Sequence, residues 1–307
     1  MTDRKGLWYA VLAYAGWGLL PAYWNVFDRM SPYELLSYRM VFSAVTIWIW
    51  VAIARRVRNV AGVMRDGRRA RWMALGSLMI TANWLTFIVA VNTGHVVESS
   101  LGYYINPIVN VLFGLLLFRE RLDGWQWAAL GVALAGVVVM VVAYGQVPWL
   151  ALALAGSFGL YGVVKKRVEA DAVQSLTWET TLALPLAVAY LAATFAVHRV
   201  TVTQLAAWQV ALLVFSGLLT AVPLLLFAMA AKRLSLATLG MVQYISPTLQ
   251  LVIGIAVDHE PFTRADGLGF ACIWLALVLY TISLIRSERQ HRNATAGGNR
   301  AVEAKKA

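Results

Sequence analysis

Charge is scarce in this sequence. Only 13% of the 307 residues are Asp, Glu, Lys or Arg, against about 25% in an ordinary soluble domain. There is one cysteine, Cys272, inside an apolar run, which excludes an intrachain disulfide and a cysteine-based metal site. No G-x-x-x-x-G-K-[ST] stretch is present, and the gaps between apolar runs are too short for a nucleotide-binding domain, which argues against direct ATP drive. H-E-x-x-H and G-x-S-x-G are missing too. His95, His198, His259 and His291 all fall outside the middles of the apolar runs, so an intramembrane enzyme finds no catalytic constellation. No cofactor or metal is expected.

What the chain has in abundance is apolar surface: 60% of residues are hydrophobic. They lie in ten blocks, roughly 7–26, 34–54, 72–94, 96–118, 123–145, 147–164, 176–197, 208–229, 234–257 and 265–285. About 20 apolar residues cross a bilayer core, so each block is expected to be a transmembrane helix. The start, Met1 to Lys5 before an apolar run from Leu7, has the outline of a signal peptide. The run's full length, its Pro21 and its later counterpart favour a retained helix.

Lys and Arg crowd the gaps. With ten spans, 22 of the 26 fall on one side, Arg29, Arg199 and Arg264 fall on the other, and Arg39 lies within a span. Basic residues accumulate on the cytoplasmic side. The split therefore predicts a cell (inner) membrane protein with both termini cytoplasmic, and it accounts for a pI near 10 without nucleic acid. The basic stretch 288–307 is expected to be a disordered tail.

The chain also repeats itself at an offset of 140 residues. Between 85–120 and 225–260, eight of 36 positions are identical, among them Tyr104/Tyr244, Pro107/Pro247, Gly114/Gly254 and Glu120/Glu260. An odd number of spans per repeat, five, turns the second upside down. The expected organisation is one five-helix repeat over 1–145 and an inverted one over 146–287. Inverted repeats with a midplane site at their interface are characteristic of secondary transporters.

Several segments then resemble the drug/metabolite transporter superfamily, with two EamA-type halves, and within it the RarD-like proteins. They are Gly16-Trp17-Gly18 with Pro21, Tyr38-Arg39, Ser157 to Gly162 before Lys165-Lys166, and Trp178-Glu179-Thr180. Tyr104-Ile105-Asn106-Pro107 with Arg119-Glu120-Arg121, and Gln243 to Pro247, complete the set. The resemblance covers roughly 5–287. It implies export or exchange of small organic solutes and leaves the substrate open. A sensor or assembly subunit without transport is the alternative, although such a protein usually brings a sizeable soluble domain.

Candidate site residues follow from polarity at membrane depth. Pro107 and Pro247 sit near the middles of their spans, where each frees a carbonyl four residues earlier and bends the helix. Pro21 is a third candidate hinge. Tyr103, Asn106 and Asn110 share one helical face, as do Gln243, Ser246 and Gln250, at i, i+3, i+7. With Asn83 they are expected either to line a cavity or to bond helices together. Tyr14, Trp17, Tyr161 and Tyr244 are candidate aromatic walls, with core packing an equally good account.

Arg39 and its repeat partner Glu179 are intramembrane charges, functional candidates by default, unless each snorkels to its nearer interface. Each lies about 7.5 Å from its own membrane edge. Inversion puts those edges on opposite sides of a core about 30 Å thick. The expectation is Arg39 in the outer half and Glu179 in the inner half, without a direct salt bridge. Arg39 hints at an anionic or zwitterionic solute. Glu98 with His95 could carry a proton, but helix capping is the simpler account. Glu120 and Glu260 read as helix-end structure. Gly131 with Ala135 and Gly267 with Ala271 have small-xxx-small spacing, suggesting close packing within the bundle or a homodimer. Expected partners are a small solute, membrane lipid, and a proton or counter-solute.

Overall fold

Asp3 opens the first helix by accepting hydrogen bonds from the Lys5 and Gly6 amides. Asp123 with Gln126, and Asp171 with Gln174, form reciprocal capping boxes at two further helix starts. A computed structural model describes residues 3–197, 201–256 and 263–304, with side chains to 286 apart from 91, 92, 96 and 97. The described residues are helical and contain no strand. The α-helices are α1 (Arg4–Trp24), α2 (Pro32–Ile53), α3 (Val57–Val63), α4 (Gly67–Asn92), α5 (Val96–Phe118), α6 (Gly124–Tyr144), α7 (Trp149–Arg167), α8 (Ala172–Ala196), α9 (Ala207–Ala231), α10 (Leu236–Gln243), α11 (Ile245–Ala256) and α12 (Arg264–Ala304).

Among the described residues, eight segments are long and apolar enough to cross a membrane: those of α2, α4, α5, α6, α8, α9, α10 with α11, and α12. The other two predicted blocks coincide with α1 and α7 but fall short of that composition. Gly, Trp, Tyr and Pro dilute α1, and Lys165, Lys166 and Arg167 end α7. This is a multi-pass membrane protein.

Three local features differ from the sequence expectation. Pro107 lies inside the uninterrupted α5, whereas the chain turns at Tyr244 and Pro247 is the third residue of the new helix α11. First-turn amides have no intrahelical acceptor, so a proline costs little there. The second difference is that α12 runs on to Ala304, past the predicted end of the last apolar block at 285; the stretch has no proline to stop it. The third concerns close packing. Gly131 faces open space, and a Cβ at Gly136 would sit 2.9 Å from the Gly269 carbonyl oxygen. The tight contact between α6 and α12 therefore runs through Gly136 and Gly269, one residue from the predicted stripe on α6 and two from it on α12.

The helices pack in matched pairs. α1 lies on α9 and α11, and α7 lies on α4 and α5. α2 meets α8 and α9, α8 also meets α4, α5 meets α10, and α6 runs along α12. One buried cluster gathers around Tyr14, Phe158, Tyr161, Phe227 and Leu236, and a second joins α5, α6 and α12 through Ile108, Met140, Phe270 and Ile273.

Charge gathers at one end of this bundle. Asp3 pairs with Arg233 at 2.9 Å, Arg56 with Asp171 at 2.5 Å, and Lys166 with Glu120 at 2.7 Å. Lys166 also reaches the Leu234 carbonyl, and Lys232 that of Val168, linking these pairs into one belt. Glu120 further accepts the Leu236 and Ala237 amides, capping α10, in keeping with a helix-end role. At the opposite end the buried Glu34 accepts the Thr201 and Val202 amides, and Tyr23 donates to the Leu212 carbonyl. Glu98 there caps α7 rather than its own helix, accepting the Leu150 amide at 2.7 Å and the Tyr144 hydroxyl. His95 is exposed and contacts Thr93. Glu260, with Asp258, His259, His198 and Arg199, lies outside the described residues.

Candidate transport cavity

A cavity of about 270 Å³ opens among α1, α2, α4, α5, α7, α9, α10 and α11. Its lining brings together Arg39, Asn83, Tyr103, Asn106, Gln243, Ser246 and Gln250, with Tyr14, Trp17, Pro21 and Pro247. Proline and glycine shape it locally. The chain turns at Tyr244 and Pro247 sits in the first turn of α11, so Ser246 and Gln250 are presented at the head of a new helix. Gly18 lets α1 approach that helix closely: a Cβ there would meet Leu249 at 2.8 Å and the Ser246 carbonyl at 3.0 Å.

Among the described residues, Arg39 is the only charged side chain in the lining. Its guanidinium carbon lies 4.2 Å from the Trp24 ring centre and 6.0 Å from that of Trp84. Its Nε donates to Thr220 Oγ1 at 3.4 Å. No carboxylate among the described residues comes within 4.0 Å of it. Aromatic rings stabilise a cation partly through their negative faces, but they leave most of its donors unsatisfied.

The amides are organised from behind. Asn110 is buried at 0% exposure and does not reach the cavity. Its Nδ2 donates to Gln243 Oε1 at 2.8 Å and to Asn106 Oδ1 at 3.3 Å. Both acceptors are thereby used, and the NH₂ groups of Asn106 and Gln243 donate to no described residue. Asn83 Nδ2 donates to the Leu154 carbonyl and Ser157 Oγ, and Gln250 Nε2 to Ser246 Oγ. The Tyr14 hydroxyl is fully buried and has no partner among the described residues.

Glu179 and Tyr161 do not line this cavity. They border a smaller space with Ser43, Thr180, Ile80 and Trp84. Ile80 and Trp84 line both spaces and form the partition between them. Arg39 and Glu179 thus lie on opposite sides of the partition and form no salt bridge.

Glu179 has a partner that the sequence did not reveal. Lys165 Nζ lies 2.6 Å from its Oε2, with both side chains buried. Tyr161 donates to Oε2 at 3.0 Å and Ser175 to Oε1 at 2.6 Å. Lys165 follows the predicted span 147–164, yet it is buried within α7 and not in a solvated gap. α7 runs on to Arg167, and the buried carboxylate holds the ammonium inside. Tyr244 also stands back from the cavity: it is buried in the cluster that joins α5, α6 and α12, and its hydroxyl donates to the Tyr104 carbonyl of α5. Pro107 is buried, and its carbonyl backs onto Gly240 of α10. Trp24, Trp84, Phe87, Ser99, Ser100, Phe158 and Thr220 are lining residues that sequence reasoning passed over.

A multi-pass helical bundle enclosing a cavity lined by an arginine and several amides has the form of a membrane transporter, and comparison with known proteins makes the class specific. The profile of the EamA-like transporter family matches twice, over residues 4–142 and 147–282. The Bacillus subtilis transporter YojE is 39% identical, over 94% of this chain and 98% of its own length. Protein RarD of Streptomyces exfoliatus is 37% identical, over 94% and 92%. Protein RarD of Escherichia coli K12 is 35% identical, over 94% and 97%. A solved crystal structure shares the fold with a TM-score of 0.70 at 19% identity, covering 90% of this chain and 97% of the other. The chain belongs to the EamA-like transporter family and, within it, to the RarD-like proteins; it is a transporter and not an enzyme.

Proposed function

We propose that this protein is a secondary transporter of small organic solutes, working by alternating access between two inverted five-helix halves. The observation that carries this reading is the mid-bundle cavity, which holds one unpaired cation and a ring of amides where a lipid-facing helix bundle has no need of them. Exchanging α1, α2, α4, α5 and α6 with α7, α8, α9, α10–α11 and α12 maps the main packing pairs onto one another, which supports the inverted pair. The double family match supports the same division. In this reading ten helices span the cell (inner) membrane and both termini are cytoplasmic, as the Lys and Arg distribution suggests.

The ion-paired end is then cytoplasmic and closed, and the cavity lies towards the outside. Arg39, Asn83, Tyr103, Asn106, Gln243, Ser246 and Gln250 contact solute beside Tyr14 and Trp17, while Pro21, Pro107 and Pro247 allow the helices to bend. Asn110, Tyr161, Glu179 and Tyr244 support them from behind. A proton gradient or a counter-solute drives the cycle, and a homodimer is compatible with it.

The test begins with the thermal stability of the purified protein against organic acids, amino acids, amines and amphenicols. A ligand at 100 times its Kd adds about 2.7 kcal/mol, which reveals even weak binders. Each hit is then assayed for counterflow in proteoliposomes. Saturable counterflow that falls on Asn106→Ala is expected. Tight binding with no counterflow would replace transport by a sensor role.

A further inference from the structure

Resting on the transporter reading, we infer that the solute is an organic monocarboxylate with an apolar or aromatic body, its carboxylate held by Arg39 between Trp24 and Trp84.

Charge balance is the first argument. Among the described residues the cavity lining contains Arg39 and no Asp, Glu, Lys or His. The buried carboxylates elsewhere are committed: Glu179 to Lys165, Ser175 and Tyr161; Glu34 to the amides of Thr201 and Val202; Glu98 to Leu150 and Tyr144. An empty cavity therefore carries one positive charge in a poorly polarisable setting, which is costly. A monoanion brings the net charge to zero. A zwitterion leaves it at plus one, and an amine raises it to plus two. A dianionic phosphate would need a second cation that the lining does not supply.

Donor geometry is the second argument. A guanidinium has five N–H donors in a fork that matches a carboxylate. The described contacts of Arg39 use one of them, to Thr220. The rings of Trp24 and Trp84, at 4.2 and 6.0 Å from the guanidinium carbon, attract the cation through their faces without using its N–H donors.

The rest of the cavity fits the body of such a solute. Trp17, Phe87, Tyr103 and Phe158 supply apolar walls. The unused NH₂ groups of Asn106 and Gln243 and the unpartnered Tyr14 hydroxyl can serve a second acceptor, such as a carbonyl or hydroxyl oxygen.

Four probes that share one body and differ in charge test this on the full chain: 3-phenylpropionate, phenylalanine, phenethylamine and 3-phenylpropanol. Binding is read by quenching of tryptophan fluorescence, and transport by counterflow in proteoliposomes. The expected result is 3-phenylpropionate binding at least about tenfold tighter than the other three, the scale of one hydrogen-bonded charge. Arg39→Gln should erase that preference while Arg39→Lys keeps part of it. Trp24→Leu, which leaves the cation in place, should weaken 3-phenylpropionate most. Tighter binding of phenylalanine or phenethylamine overturns the inference, as does an anion preference that survives Arg39→Gln in folded protein. Binding of none of the four also overturns it. Counterflow of a zwitterion or amine would discard the carboxylate assignment and leave the transporter reading standing, whereas ligands that bind without any counterflow defeat that reading itself.

Discussion

Lys165 and Glu179 face each other across α7 and α8 with 2.6 Å between Nζ and Oε2, and neither is exposed by more than 2%. Breaking such a pair leaves one buried charge uncompensated, at about 3–5 kcal/mol. Glu179→Gln and Lys165→Met are each expected to destabilise the protein by that amount in a detergent unfolding titration. The double variant Lys165→Met with Glu179→Leu should lose much less than the sum. Full additivity would show that the two groups do not interact.

Asn110 lies behind the cavity yet sets the direction of two amides in front of it. Asn110→Ala should weaken solute affinity roughly fivefold, since an intramolecular hydrogen bond is worth about 1 kcal/mol. Asn110→Asp, which cannot donate to both Asn106 and Gln243, should be at least as harmful. Equilibrium binding on folded variants checks this, and an unchanged Kd for both would remove Asn110 from the site.

The α6–α12 contact has a tight face and an open one. Gly136→Val would drive methyl groups into the Gly269 carbonyl and Cys272, with an overpacking cost of about 1–3 kcal/mol. Gly131→Val points into open space and should shift the melting temperature far less. Equal shifts would mean that the tight face had been misplaced.

Asp3 offers a pH test at the ion-paired end. The side-chain bond from Arg233 and the backbone bond from Gly6 lower its carboxyl pKa below the usual 3.8. A carboxyl with a depressed folded pKa stabilises the fold above its unfolded value and loses that contribution as the pH falls through the folded one. Wild type should therefore lose its advantage over Asp3→Asn as the pH drops below about 3.8. Protection of the first-turn amides of α1, compared between the two proteins, reports it. A wild-type advantage that persisted well below that range would show that the charge is irrelevant.

Arg39, the amides and the prolines were legible because a polar residue within an apolar run stands out, and helical spacing places several on one face. The same spacing put Asn110 on the cavity face. It could not show that α10 packs across α5 at that height and covers it. Lys165 was hidden by its neighbours: next to Lys166 and Arg167 it reads as another cytoplasmic charge, and only the fold brings Glu179 to it. Trp84 and Thr220 carried no signal, since Trp and Thr are spread through the chain. α1 and α7 fall short of a spanning composition partly because Tyr14, Trp17, Gly18, Ser157 and Tyr161 turn towards the bundle interior, so composition underrates two helices that line the site. The choice between Gly131 and Gly136 depends on which face of α6 turns towards α12, and small-residue spacing alone does not specify that.

The two ends of the bundle are fastened by different means. Partly exposed ion pairs such as Asp3–Arg233 and Arg56–Asp171 hold one end, while backbone amides docked on the buried Glu34 and Glu98 hold the other. Dissolved ions shorten the reach of exposed charges to about 8 Å at physiological strength and hardly touch a buried cap. Ionic strength is therefore a one-sided variable for this molecule: raising it loosens a single clasp, so salt tips the balance between the two ends in one direction only.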